Sequence, residues 1–276
     1  MSQNAERPIP NVLSIAGLDP SGGAGMLADI KAIGALGAYG CGVAAALTAQ
    51  NTQGVTGVLP VDPAFVGRQI DTLFEDVPIA AVKIGMLGQQ PVIQVVGEKL
   101  ARWRPSHIVL DPVMVSSSGE LLLERGAIGM LREALLPQVT VLTPNLPEAG
   151  VLLDARPVET LKEMRRVAEK LRERMAYDGH RWVLLKGGHL PGEETIDLLH
   201  DGDRMLELPG RRIATTNNHG TGCTLSAALA ALIPQTGDVP EAARRAKHYL
   251  TEALRHADRL QAGKGHGPLH HFHAWW

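Results

Sequence analysis

Six short apolar runs, separated by segments with helical spacing, set the tightest limit on how this chain can fold. NVLSIAG (11–17), GVAAALTA (42–49), AAVKIGM (80–86), HIVLDPV (107–113), VTVLTP (139–144) and WVLLKGG (182–188) are almost unbroken in apolar character. Strands of that kind are buried on both faces, as in a parallel sheet covered by helices. The intervening segments fit this. In 160–176, Leu161, Met164, Val167, Leu171 and Met175 form one apolar stripe, with charged residues filling much of the rest. The alternation predicts an α/β fold with a mostly parallel sheet and helices on both faces. Two segments depart from it. GVTGVLPVD (54–62) reads as a small edge strand or flap, and TIDLLHDGDRMLELPG (195–210) as a β-hairpin around Asp201-Gly202-Asp203. No internal repeat, linker or low-complexity segment breaks the pattern, so residues 1–276 are expected to form one domain.

Composition removes several function classes. A formal net charge of −2 supplies no basic field for nucleic acid. Cysteines only at 41 and 223 make no disulfide framework and fit a reducing cytoplasm. The start, MSQNAERPIP, lacks an apolar export core. Residues 32–49 carry no charge and are about long enough to span a bilayer, but they hold four glycines and a periodicity break at Gly40. They read as a helix end, a turn and a buried strand, so no membrane association is expected.

The ends of the apolar runs carry the candidate chemistry, since ligands of open α/β sheets bind beyond the carboxyl ends of the strands. GLDPSGGAG (17–25) follows the first run and leads to Asp29. Gln50-Asn51, Gly85-Met86, Asp111-Pro112, TPNLPE with Asn145 and Glu148, and Lys186-Gly187-Gly188 follow the others. Structural readings stand beside each. The glycines could only make a turn. Asp29 could favour its helix dipole. Asp111 could belong to a turn, and Asn145 with Glu148 has capping-box spacing. Lys186 in an apolar run is harder to explain without an anionic ligand, because an unpaired buried ammonium is costly.

In NNHGTGCTLSA (217–227) a glycine-rich turn opens a helix at Cys223. Outward-pointing amides and the helix dipole there suit an anion, and the same field is expected to lower the thiol pKa. Other phosphate templates are absent. There is no Walker A pattern, GKGHG (263–267) runs into Pro268 rather than a helix, and position 229 is Leu rather than the Arg a cysteine phosphatase needs. The tail GKGHGPLHHFHAWW (263–276) holds four histidines, but no Cys/His spacing suggests zinc.

Taken together, SIAGLDPSGGAGMLADIKAIGALGAYG, TAQNTQGV, KIGML, LDPVM, LTPNLPEA, LLKGGH and HGTGCTLSAALAAL closely resemble the bacterial hydroxymethylpyrimidine/phosphomethylpyrimidine kinases of thiamine biosynthesis, in the ribokinase-like superfamily. The resemblance runs from about residue 11 to the end. It implies a three-layer αβα sandwich and ATP-dependent phosphorylation of 4-amino-5-hydroxymethyl-2-methylpyrimidine, then of its monophosphate. It places Gly17, Asp29, Gln50, Met86 and Val113 around the pyrimidine, and Lys186 toward the ATP phosphates. Asp111 and Glu148 fall toward Mg²⁺, and Gly220, Thr221, Gly222 and Cys223 form the anion hole, with Cys223 as candidate base. A cytoplasmic homodimer is expected. The competing readings are a pyridoxal kinase of the same superfamily, a cysteine hydrolase using His219, and a non-catalytic ligand sensor.

Overall fold

Each apolar run becomes a strand. The computed structural model describes residues 8–114, 123, 126–156, 158–176 and 179–276; most of the stretch read for an export core, residues 1–7, lies outside them. In chain order the elements are β1 (Asn11–Leu18), α1 (Gly25–Ala35), β2 (Tyr39–Asn51), β3 (Gly54–Pro60), α2 (Pro63–Phe74), β4 (Ile79–Ile84), α3 (Gln90–Trp103) and β5 (Ile108–Leu110). There follow α4 (Ala127–Met130), β6 (Val141–Leu142), α5 (Leu146–Leu153), α6 (Leu161–Glu173), β7 (Trp182–Leu185), β8 (Asp197–His200), β9 (Met205–Leu208), α7 (Thr221–Thr236) and α8 (Val239–Arg255).

The strands form one nine-stranded sheet in the order β3-β2-β1-β4-β5-β6-β7-β8-β9. From β2 to β7 every pairing is parallel, while β3 at one edge and the β8–β9 hairpin at the other are antiparallel. The flap and hairpin expected from the sequence are these two edges. β5 and β6 are shorter than their apolar runs, because Pro112 and Pro144 have no N–H for the ladder.

Alternation along the strands sorts the core into two layers. Leu13, Ile15, Val82 and Ile84 pack toward α2, α3, α5 and α6, whereas Val12 and Ala81 pack toward α1, α7 and α8. This is an αβα sandwich. Residues 32–49 divide into the end of α1, a turn and β2, and no helix among the described residues is long and apolar enough to cross a membrane. The chain runs from β1 outward to β2 and β3, then returns to β4 on the other side of β1. That reversal opens a crevice at the carboxyl ends of β1 and β4.

Candidate active site

A cavity of about 510 Å³ occupies this crevice. Gly17, Gln50, Met86 and Val113 line one part of it, and Asp111, Glu148, Lys186 and residues 220–223 another. A residue at 17 with a Cβ would meet the Met86 side chain at 2.6 Å, so the glycine leaves room for the methionine to form the floor. A register shift between Ala49 and Gln50 marks a β-bulge, the kind of irregularity that re-aims a side chain.

The turn before α7 is shaped by two glycines. Gly220 has φ +84°, and a Cβ there would lie 1.8 Å from the Gly23 carbonyl oxygen, so the α7 start is pressed against the loop after β1. A Cβ at Gly222 would lie 3.2 Å from Lys186 Nζ and 3.3 Å from Asp111 Oδ2, which puts that ion pair beside the helix start. Thr224 N bonds back to Gly220 O, while the amides of Gly222 and Cys223 have no acceptor among the described residues. They are free donors at the positive end of a helix dipole.

The thiol departs from expectation. Burial pushes Cys223 up to about 11, and the nearby Asp29 and Asp111 carboxylates push the same way; Lys83 and the Gly25 amide only partly oppose them. The dipole argument had the opposite sign because it omitted desolvation and two acidic neighbours. Near neutral pH Cys223 is therefore a thiol.

Asp29 is also placed differently from expectation. It is fully buried and does not line the cavity. Ser14 and Lys83 are register partners on β1 and β4, and both face α1, which supplies Asp29. Lys83 Nζ donates to both Asp29 oxygens at 2.9 and 2.8 Å, and Ser14 Oγ donates at 2.6 Å. Burial works against the Lys83 ammonium, but the carboxylate more than offsets it and holds the lysine above its ordinary pKa. This sealed ion pair stands behind Cys223. Lys83 was missed in the sequence, although a lysine inside AAVKIGM invites the reasoning applied to Lys186.

Lys186 finds a partner too. Its Nζ donates to Asp111 Oδ1 at 2.9 Å and lies 4.0 Å from Glu148 Oε2. Thr143 Oγ1 donates to the same Asp111 oxygen at 3.2 Å. Glu148 N donates to Asn145 Oδ1 at 2.9 Å and Asn145 N to Glu148 Oε2 at 2.8 Å, so the capping box is formed. Burial raises Glu148 to about 7, with the Lys186 ammonium pulling against it.

Asp19, unmarked in the sequence reading, organises the loop after β1. It accepts from Ser21 N at 2.9 Å, Ser21 Oγ at 2.9 Å and Ala24 N at 3.0 Å, and lies 2.8 Å from His219 Nε2. Burial would raise its pKa, but the bonds from His219 and Ser21 hold it below the usual carboxylate range. Gln50 Nε2 lies 3.4 Å from the same ring nitrogen. The imidazole a cysteine hydrolase would need is thus engaged by Asp19. Among the described residues no three His, Cys, Asp or Glu side chains come together to hold a metal.

Comparison with known proteins converges on one group. A family model described as phosphomethylpyrimidine kinase matches residues 19–270. The hydroxymethylpyrimidine/phosphomethylpyrimidine kinase of Escherichia coli (strain K12) is 50% identical over 268 residues, 96% of this chain and 98% of that protein. The like-named protein of Rhizobium meliloti (strain 1021) is 48% identical over 264 residues, 96% of this chain and 97% of that protein. Among solved structures, phosphomethylpyrimidine kinase from Clostridium difficile 630 has a TM-score of 0.78 at 37% identity, over 89% of this chain and 99% of that one. The pyridoxal kinase of Staphylococcus aureus in complex with AMP-PCP has a TM-score of 0.86 at 31% identity, over 96% and 94%.

Proposed function

The chain belongs to the phosphomethylpyrimidine kinase family, and on that premise we propose how its cavity works. The reaction is ATP-dependent phosphorylation of 4-amino-5-hydroxymethyl-2-methylpyrimidine at its alcohol, then of the monophosphate to the diphosphate. The observation that carries this reading is one cavity with two unlike walls. Gly17, Gln50, Met86 and Val113 offer an apolar slot with one amide, suited to a small aminopyrimidine. Lys186 and the free amides of Gly222 and Cys223 offer an anion site.

In this scheme Gln50 pairs with the pyrimidine edge, since its amide both donates and accepts. Gly220, Thr221 and Gly222 shape the turn that receives the transferring phosphoryl group. Lys186, kept charged by Asp111, faces the phosphates. Cys223 faces the reacting oxygen; its thiol must first lose its own proton to solvent, and the thiolate so formed takes the alcohol's proton during attack. Asp29 acts from behind it, through Lys83. Asp111 and Glu148 carry the hard carboxylate oxygens that would hold Mg²⁺, a cation that usually keeps several of its waters. When bound, that cation neutralises phosphate charge. The raised pKa of Glu148 means its carboxyl must release a proton before it can serve such a cation.

Pyridoxal is the second substrate considered, since pyridoxal kinases share the fold at TM-score 0.86. The higher identity to the pyrimidine kinases, 50% against 31%, favours the pyrimidine. Phosphorylation of both substrates, read by mass with ATP and Mg²⁺, decides. Faster turnover of pyridoxal would overturn the assignment. The continuous nine-stranded sheet supports treating residues 1–276 as one kinase domain. We place the enzyme in the cytoplasm, in keeping with its two free cysteines. A homodimer is supported by Leu47 and Leu59, cross-strand partners that are 41% and 65% exposed at the β2–β3 edge.

A further inference from the structure

The GKGHG segment fits no nucleotide-binding pattern, yet its backbone is threaded through the tightest contacts of the tail. Gly265 N donates to Thr52 Oγ1 at 3.1 Å and His266 N to Thr52 O at 2.9 Å. Thr52 sits in the turn between β2 and β3, two positions beyond Gln50. One residue later in the tail, Gly267 O accepts from His219 N at 3.0 Å, and Pro268 forms a parallel bridge with His219. A Cβ at Gly265 would lie 2.0 Å from Thr52 O, and one at Gly267 would lie 1.9 Å from Asn217 Oδ1. Further on, His271 Nε2 and Thr224 Oγ1 are hydrogen-bonded at 3.0 Å, one residue past Cys223. Burial drives His271 down to about 3, so the ring stays neutral at that contact.

These contacts join two parts of the cavity that no sheet ladder connects. β3 pairs only with β2, and much of it is exposed. An edge hairpin of this kind opens locally at low cost unless its tip is held. The catalytic turn belongs to α7, on the other side of the cavity.

We infer that residues 263–271 are a positioning strap that ties the turn carrying Gln50 to the turn carrying Cys223 and so sets the width of the substrate cavity. The inference rests on the pyrimidine-kinase reading for its substrate but not for its geometry. No residue of the strap is among those that line the cavity. Its glycines are spaced so that the tail can lie against Thr52 and Asn217 without side chains intervening.

The test compares the full-length protein with Gly265→Ala, Thr52→Val and Lys264→Ala. The alanine at 265 forces the strap away from Thr52. Thr52→Val removes only the side-chain acceptor from the opposite side. Lys264→Ala alters an exposed strap residue that makes none of these contacts. Because small misplacements cost up to about 10²-fold, Gly265→Ala is expected to raise the pyrimidine KM about 10-fold or more, with the ATP KM held within about twofold. Thr52→Val should move in the same direction by less, and Lys264→Ala should match the parent. In parallel, amide hydrogen exchange at residues 50–54 should speed up in Gly265→Ala and not in Lys264→Ala. Unchanged pyrimidine KM and unchanged protection in a folded Gly265→Ala protein would overturn the strap, as would equal effects of Lys264→Ala. If the parent fails to phosphorylate the pyrimidine, the substrate reading falls, while the exchange arm still tests the strap.

Discussion

At Cys223 the sign of one pKa decides what the residue can do. Burial and two carboxylates raise it to about 11, so the resting group is a thiol, and alkylation by iodoacetamide should be slow near neutrality and accelerate as pH rises toward 11. The base role has a sharper test in the two reactions. The alcohol must lose a proton, whereas a phosphomonoester oxygen is already anionic near neutral pH because its second pKa is about 6. Cys223→Ala should cost the first phosphorylation at least ~10²-fold in kcat/KM, within the range of general-base catalysis, and the second distinctly less. Lys186→Ala should damage both similarly; equal losses for Cys223→Ala would leave the thiol only a positioning part. Gln50→Ala should weaken pyrimidine binding by about 1–3 kcal/mol and leave ATP binding alone, as calorimetry with each ligand would read. Lys83 and Asp29 are a different kind of pair. Replacing one strands the other in a dry interior at a cost of ~3–5 kcal/mol, so loss of activity in single variants must be read beside their stability.

At the scale of elements, Glu148 shows one side chain serving a helix cap and the ligand site together. Its folded pKa of about 7 lies above the unfolded 4.5. Between those values the folded state binds more protons, so this group's contribution to stability falls as pH rises through the window. Glu148→Gln keeps a capping-box side chain and removes the charge. It should raise the melting temperature by a few degrees at pH 8, less at pH 5, while raising the Mg²⁺ concentration that turnover needs; a thermal scan and a Mg²⁺ titration at both pH values would check it. The elements themselves were legible because parallel strands buried on both faces leave unbroken apolar runs, and α6 leaves a stripe opposite its charges. Their chemistry was legible only where a polar residue ended a run, as at Asp111, Glu148 and Lys186. Lys83 lay within a run, Asp19 looked like a turn residue before Pro20, and both acquire meaning from partners about 50 and 200 residues away in the chain. The pKa of Cys223 was illegible for the same reason, since desolvation depends on what the fold stacks over the thiol.

For the molecule as a whole, the exposed β2–β3 edge makes a direct prediction about assembly. Leu59→Glu places a charge where Leu47 and Leu59 face each other, and should convert a dimer to a monomer by sedimentation velocity. A wild-type protein that sediments as a monomer would remove the proposal. The connectivity also orders events in time. The cavity draws on β1, β2, β4 and the α7 start, and its two facing turns are joined by residues 265–271, more than 200 positions after Thr52. Contacts so distant in sequence form late, because loop closure precedes any gain from them. During synthesis the sheet and the pyrimidine slot can assemble while the tail is still inside the ribosome. A chain whose residues 1–262 have emerged, with 263–271 still enclosed, would therefore hold a nearly finished sandwich around an ungauged cavity, and competence to bind substrate would follow the emergence of residues 263–271.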